Sequence, residues 1–347
     1  MLGNTHTTVI HSTSFPRTGR RGFSLIEIMI VMIILITLIA IFVPVLAGAR
    51  NSSRKFATQQ LFTGLQTSSS QFELDQRRLP GYFSQVNMGS AENATRGLTQ
   101  LQNMLLDLSG GTVANGANTI DVGPNATGTV KVDVNLINAP SEAKGVVKNV
   151  YYNVDRKSWA PQTDANQKVA INEHKTLPDL LDAWSNPVLA WVEDDSAPVN
   201  APFARMDSGA APNYTRAKFY WNSNAAFLQA TALGRGIKNQ VEESLISTGL
   251  VDSTKIVASM AGLLGHPAFP VSTVPAPQFP IPASSRSKIV FHSAGVDGVF
   301  LGAKDRGGLV ATAAGGSPQH QIKVVDYKGS QGDPLDIFDD VITVGGN

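Results

Sequence analysis

Arg20-Arg21-Gly22-Phe23-Ser24-Leu25-Ile26-Glu27, continuing without a break into the apolar run at residues 28–43, is the stretch on which the fold turns. The basic residues stop before Gly22. From Phe23 to Ala49 the only charged side chain is Glu27. A helix over those residues is about 40 Å long at 1.5 Å per residue, enough to cross a hydrocarbon core of about 30 Å. A carboxylate inside such a run costs up to about 3 kcal/mol at the centre of a bilayer, so a partner for it is the default expectation. An ordinary signal anchor, with Glu27 lying near the interface, is the plainer reading of the same residues. A cleavable secretory signal is the other rival, but its apolar core is shorter and its small-residue cut site follows the core.

The segment Gly22 to Glu27 resembles the processing site of type IV pilins and type II secretion pseudopilins. The resemblance implies a leader, residues 1–22, that prepilin peptidase removes between Gly22 and Phe23, followed by methylation of the new amino terminus. It implies that Glu27 aids subunit assembly. Pro44 sits where these proteins often carry a helix-interrupting proline. The physical reading agrees: after cleavage the Phe23 amino group is cationic, and a carboxylate one helical turn away can pair with the amino group of a neighbouring subunit.

Composition bounds the remainder. Without residues 1–22 about 325 residues remain, enough for a membrane helix and one large or two smaller domains. The 347-residue chain has a formal net charge of +1 and no cysteine. Near neutrality gives no sign of a nucleic-acid-binding domain, and the lack of thiols excludes disulfides and Cys-ligated zinc. Arg17, Arg20 and Arg21 fit a cytoplasmic leader, although Arg50, Arg54 and Lys55 on the far side leave orientation open on charge alone.

Beyond Val45 the sequence turns polar but stays compatible with a helix. Leu61, Leu65 and Phe72 fall on one face, and Leu79-Pro80-Gly81 ends the segment. One long helix is expected over residues 23–79, transmembrane over 23–46, with its second half packed on a head at 80–347. A second helix is expected over 93–108 from the leucine spacing, a loop over 110–128, a strand over 129–137 from the Val130, Val132, Val134 and Leu136 alternation, and another over 146–154. Residues 188–192 and 287–293 read as further strands, and 321–327 as an extra one.

Two later stretches resemble major pseudopilins. Asp182-Ala183-Trp184-Ser185-Asn186-Pro187 is similar to their Asp-Pro-Trp-Gly-Asn-Pro turn, with Ala183 for proline and Ser185 for glycine. Asn-Pro favours a turn, and Trp184 suits a cover for the core. Ser293-Ala294-Gly295-Val296-Asp297-Gly298 is similar to a loop that binds calcium in that family, which makes Asp297, with Asp339 and Asp340, candidate calcium ligands. Hard oxygen donors suit that ion. About forty residues separate Gly298 from Asp339, where the family's loop is short. Two unconnected polar turns are the plainer reading. Residues 196–284, helix-prone over 225–260 and proline-rich over 265–284, read as an insertion.

The expected fold is thus α+β and pilin-like: a long N-terminal helix on an antiparallel sheet with an enlarged insertion. His174, His266, His292 and His320 are scattered, and no catalytic spacing is present, so no enzyme is expected. The resemblance implies a structural subunit of a type II secretion pseudopilus or related filament. Its partners would be the peptidase, other pilin or pseudopilin subunits, the inner-membrane assembly machinery and, before assembly, lipid. Its location would be the bacterial inner membrane with the head outside the cytoplasm. The alternative is a membrane-anchored binding module or minor tip pilin that recognises an exported substrate or a surface.

Overall fold

The computed structural model describes residues 24–116, 119–137, 150–160, 174, 177–194, 219–228, 287–300 and 340–345. The chain divides into two compact units, the first ending at Arg50 and the second beginning at Asn51. Helix α1, Leu25–Gln76, runs through that boundary.

In the first unit α1 is apolar all round, and its large side chains from Leu25 to Leu46 are exposed. A helix with no polar face has no reason to stay in water; it belongs in lipid or among other helices. Sheltering each large side chain is worth roughly 2 kcal/mol. The helix continues through Pro44. The loss of one N–H there does not stop it, as a proline can bend a helix without ending it.

The second unit is α+β. The lower half of α1 changes character after Lys55: Thr58, Phe62, Leu65, Ser69 and Phe72, spaced four and three apart, are buried. That is the stripe expected from Leu65 and Phe72, with Leu61 only partly buried. The helix ends where Arg77 takes φ 57. The Arg78 guanidinium donates to Asp107 at 2.6 and 3.0 Å, and the Gly81 N–H donates to the same carboxylate at 2.8 Å. This ties the exit from α1 to a later helix.

The helix expected over 93–108 is two helices. After the single turn α2, Gln85–Met88, comes α3, Asn93–Arg96; Gly97 turns left-handed at φ 79, and α4, Gln100–Leu108, begins afresh. Thr99 and Gln102 form a reciprocal capping box at 3.2 and 3.1 Å. A residue with positive φ cannot continue a right-handed helix, and the box starts a new one. α4 is wholly buried.

The expected loop over 110–128 contains a strand. β1, Ile120–Val122, pairs antiparallel with β2, Val130–Val132, placing Ile120 against Val132. β2 is shorter than the alternation suggested. Asp133 accepts from the Asn135 N–H at 3.0 Å and bends the chain into a helical turn, α5, Val134–Ile137. Of the strand expected over 146–154, residues 150–154 carry no ladder; instead the Tyr151 and Tyr152 N–H groups cap α4 at the Leu108 carbonyl. β3, Trp159–Ala160, pairs with β4, Asp179–Leu180.

The main sheet joins distant segments. β5, Leu189–Val192, pairs antiparallel with β6, Ile289–Ser293, which pairs with β7, Val341–Gly345. Phe62 of α1 lies 6.0 Å from Phe291 of β6, ring to ring, so helix and sheet share a core. Within the expected insertion, residues 219–228 are built into the head. Phe219, Tyr220 and Phe227 are buried, α6, Ala225–Leu228, follows, and Asn224 donates to the Ala190 carbonyl of β5 at 2.8 Å. Burial and Asp194, which accepts from the Tyr220 hydroxyl at 2.6 Å, hold that phenol above its usual range. The strand expected over 321–327 and the rest of 196–284 lie outside the described residues.

Candidate processing and assembly site

The start of α1 is the first candidate site. The Ser24 carbonyl accepts from the Glu27 and Ile28 N–H groups, and the Glu27 carboxylate reaches back to the Ser24 N–H at 3.3 Å. The acid therefore sits over the first turn, where unpaired N–H groups and the positive end of the helix dipole favour it. It is exposed and flanked by exposed apolar side chains. Gly22 and Phe23 lie outside the described residues, as does residue 1–21 of the expected leader. Pro44 lies within α1.

The second candidate is where the two later sequence stretches meet. Residues 181–188 close as a hairpin: the Val188 N–H donates to Leu180 at 2.9 Å, Asp182 to Asn186 at 2.8 Å, and Pro187 bridges Leu181. Ser185 is left-handed at φ 72, the conformation glycine favours and the position at which the resembling turn carries glycine. Trp184 packs partly buried against the core, and the Ala183 N–H docks on Thr58 of α1 at 3.2 Å.

Asp182 holds this turn together. Its Oδ1 accepts from the Trp184 and Asn186 N–H groups, each at 2.8 Å. Its Oδ2 accepts from Asn186 Nδ2 at 3.4 Å and from the Ser293 hydroxyl. Asn186 Nδ2 also donates to the Gly295 carbonyl at 2.8 Å. Burial pushes the Asp182 carboxyl up to about 6, and the four donors pull it back only in part. Sequence reading missed this role; the signal was an aspartate two residues before Trp184 and four before Asn186, the spacing of an Asx turn.

Of the residues expected to hold calcium, Asp297 and Asp340 are among the described residues. Asp297 accepts from the Val299 N–H at 2.8 Å. Asp340 is buried, with His292 Nε2 2.7 Å from its Oδ2. Asp339 lies outside the described residues. Among the described residues no three His, Asp or Glu side chains converge as a metal cradle. The His292–Asp340 pair is instead a polar contact inside the sheet, with Phe300 edge-on to the imidazole at 5.3 Å. Burial pushes the imidazole down to about 3, toward its neutral form.

A family model described as the prokaryotic N-terminal methylation motif matches residues 17–43. The chain therefore carries the signature of type IV pilins and pseudopilins, on an α+β structure with a long apolar N-terminal helix. The match stops at Val43 and does not extend to the pseudopilin resemblances at Trp184 and Asp297. No curated protein and no solved structure matches the chain at a significant level.

Proposed function

We propose that this chain is a structural subunit of a type II secretion pseudopilus or a related type IV pilus-like filament. Prepilin peptidase cuts between Gly22 and Phe23, the helix over 23–46 anchors the product in the inner membrane as a single pass, and the head at 80–347 projects outside the cytoplasm. Residues 196–284 elaborate that head. Assembly machinery then withdraws the helix from lipid and packs it against those of other subunits. One observation carries the reading: the methylation motif runs into a helix that exposes apolar side chains all round and whose sole charge up to Ala49 is Glu27.

Packing of such helices replaces lipid contacts with helix contacts and gains little from hydrophobicity itself. A buried charge pair then sets register, because only one stagger places Glu27 beside the amino group of a neighbour. No catalytic role is assigned. His174 is buried, with Nε2 against the Gly123 backbone, and His292 is committed to Asp340.

Mass spectrometry of the mature amino terminus tests the processing step. N-methyl-phenylalanine at position 23 is the expected result, and a chain recovered with its arginine-bearing leader overturns it. Glu27→Ala tests assembly. The variant is expected to be cleaved normally yet to be missing from sheared filament fractions; normal filaments would remove the role given to Glu27. A wild-type chain that never leaves the membrane fraction would favour an anchored binding module.

A further inference from the structure

The Asp182 carboxyl joins three parts of the head. It closes the turn at 181–188, it receives the Ser293 hydroxyl at the end of β6, and through Asn186 it reaches the carbonyl of Gly295. Through Ala183 the same turn rests on Thr58 of α1. Every partner of Asp182 is neutral. The side chain is buried, and among the described residues no cation pairs with it.

We propose that Asp182 is a proton-binding latch, which docks the Trp184 turn onto the 293–295 loop more tightly in its protonated form than as a carboxylate. A buried carboxylate without a cation is held only by donors, and each donor recovers part of its lost hydration. Protonation removes the charge and turns Oδ2 into a donor toward Ser293 Oγ, which already accepts from the Gly295 N–H at 3.2 Å. Oδ1 keeps both backbone N–H groups, because a neutral carboxyl oxygen still accepts. Burial holds this proton to about pH 6, well above the range of an exposed aspartate.

Trp184 and Asn186 of its own turn, Ser293 of β6 and Thr58 of α1 do not titrate. Of the titratable groups on the elements packed against it, His292 on β6 is paired with Asp340, and Asp297 beyond Gly295 accepts from the Val299 N–H. On α1, Glu73 lies 3.5 Å from Lys288, and the cations within a turn of Thr58 are the half-buried Arg54 and the exposed Lys55. β5 carries none.

Asp182→Asn mimics the neutral form. In thermal melts of the full chain in detergent, the variant is expected to melt about 5 °C above the wild type near pH 7.5. That advantage should vanish near pH 4.5, where the wild type carries its own proton. A variant that melts lower than the wild type at every pH, or by a constant margin, overturns the latch. If the variant fails to fold, the carboxyl carbon-13 shift of Asp182 in wild-type protein decides. A midpoint clearly above that of the exposed Asp75 upholds the proposal, and a midpoint at or below it overturns it.

Discussion

Ser185 shows what one residue reveals and conceals. The turn it occupies requires positive φ, and Ser185 adopts φ 72 at a cost of about 1 kcal/mol. Ser185→Gly removes that cost but loosens the unfolded chain by roughly half as much. A net gain on the order of 0.5 kcal/mol is expected in urea denaturation, whereas Ser185→Val should lose more than 1 kcal/mol. This position was legible, because the turn residues around it are local. Asp182 was not, because Ser293 lies 111 residues further along the chain. Asp107 is similar: its partners Arg78 and Gly81 precede it by 29 and 26 residues. Asp107→Ala leaves the Gly81 N–H and the half-exposed Arg78 without their acceptor and should cost about 2 kcal/mol, read from the same denaturation curves.

At the scale of elements, α1 was readable because an unbroken apolar run and then a buried stripe both keep a helical period. The split between α3 and α4 was hidden because the leucine spacing begins only at Leu98, after Gly97, and says nothing of where the preceding helical turn ends. The capping box that decides it was present as Thr99 and Gln102. Thr99→Ala should cost about 1 kcal/mol, seen as an earlier midpoint in the helical circular dichroism signal. β2 stops early because Asp133 offers the backbone a turn, a local competition that side-chain alternation does not register. The segment at 219–228 was unreadable as part of the core, since nothing near it announces its partners. Its fit is close: a Cβ on Gly89 would lie 1.8 Å from Tyr220 Cδ1. Asn222 Nδ2 also donates to the Gly89 carbonyl at 2.9 Å. Gly89→Ala therefore has to displace the Tyr220 ring and should destabilise the head by roughly 2 kcal/mol. A change in tryptophan fluorescence, from Trp221 beside the displaced ring, is the accompanying signal.

At the scale of the molecule, the long apolar helix follows from composition alone, whereas the sheet does not. β5, β6 and β7 come from residues 189–192, 289–293 and 341–345, and no local pattern states that they pair. Two of the buried titratable groups on this sheet and its adjoining turn, Asp182 and His292, act in opposite senses. Asp182 is pushed up to about 6 from 3.8, so its stabilisation is complete below the unfolded value and is lost as pH rises through 6. His292 is pushed down to about 3 from 6.5, so its stabilisation is complete above 6.5 and is lost as pH falls through 3. Between about pH 4 and 6 each contributes a slope of up to about 1.4 kcal/mol per pH unit, with opposite sign. The wild-type melting temperature should therefore change little across that window. His292→Gln keeps a nitrogen able to donate to Asp340 but cannot take a proton, so the opposing His292 slope is removed. Its melting temperature should climb steadily as pH falls from 6 to 4, and a profile as flat as that of the wild type would show that the two groups do not oppose each other.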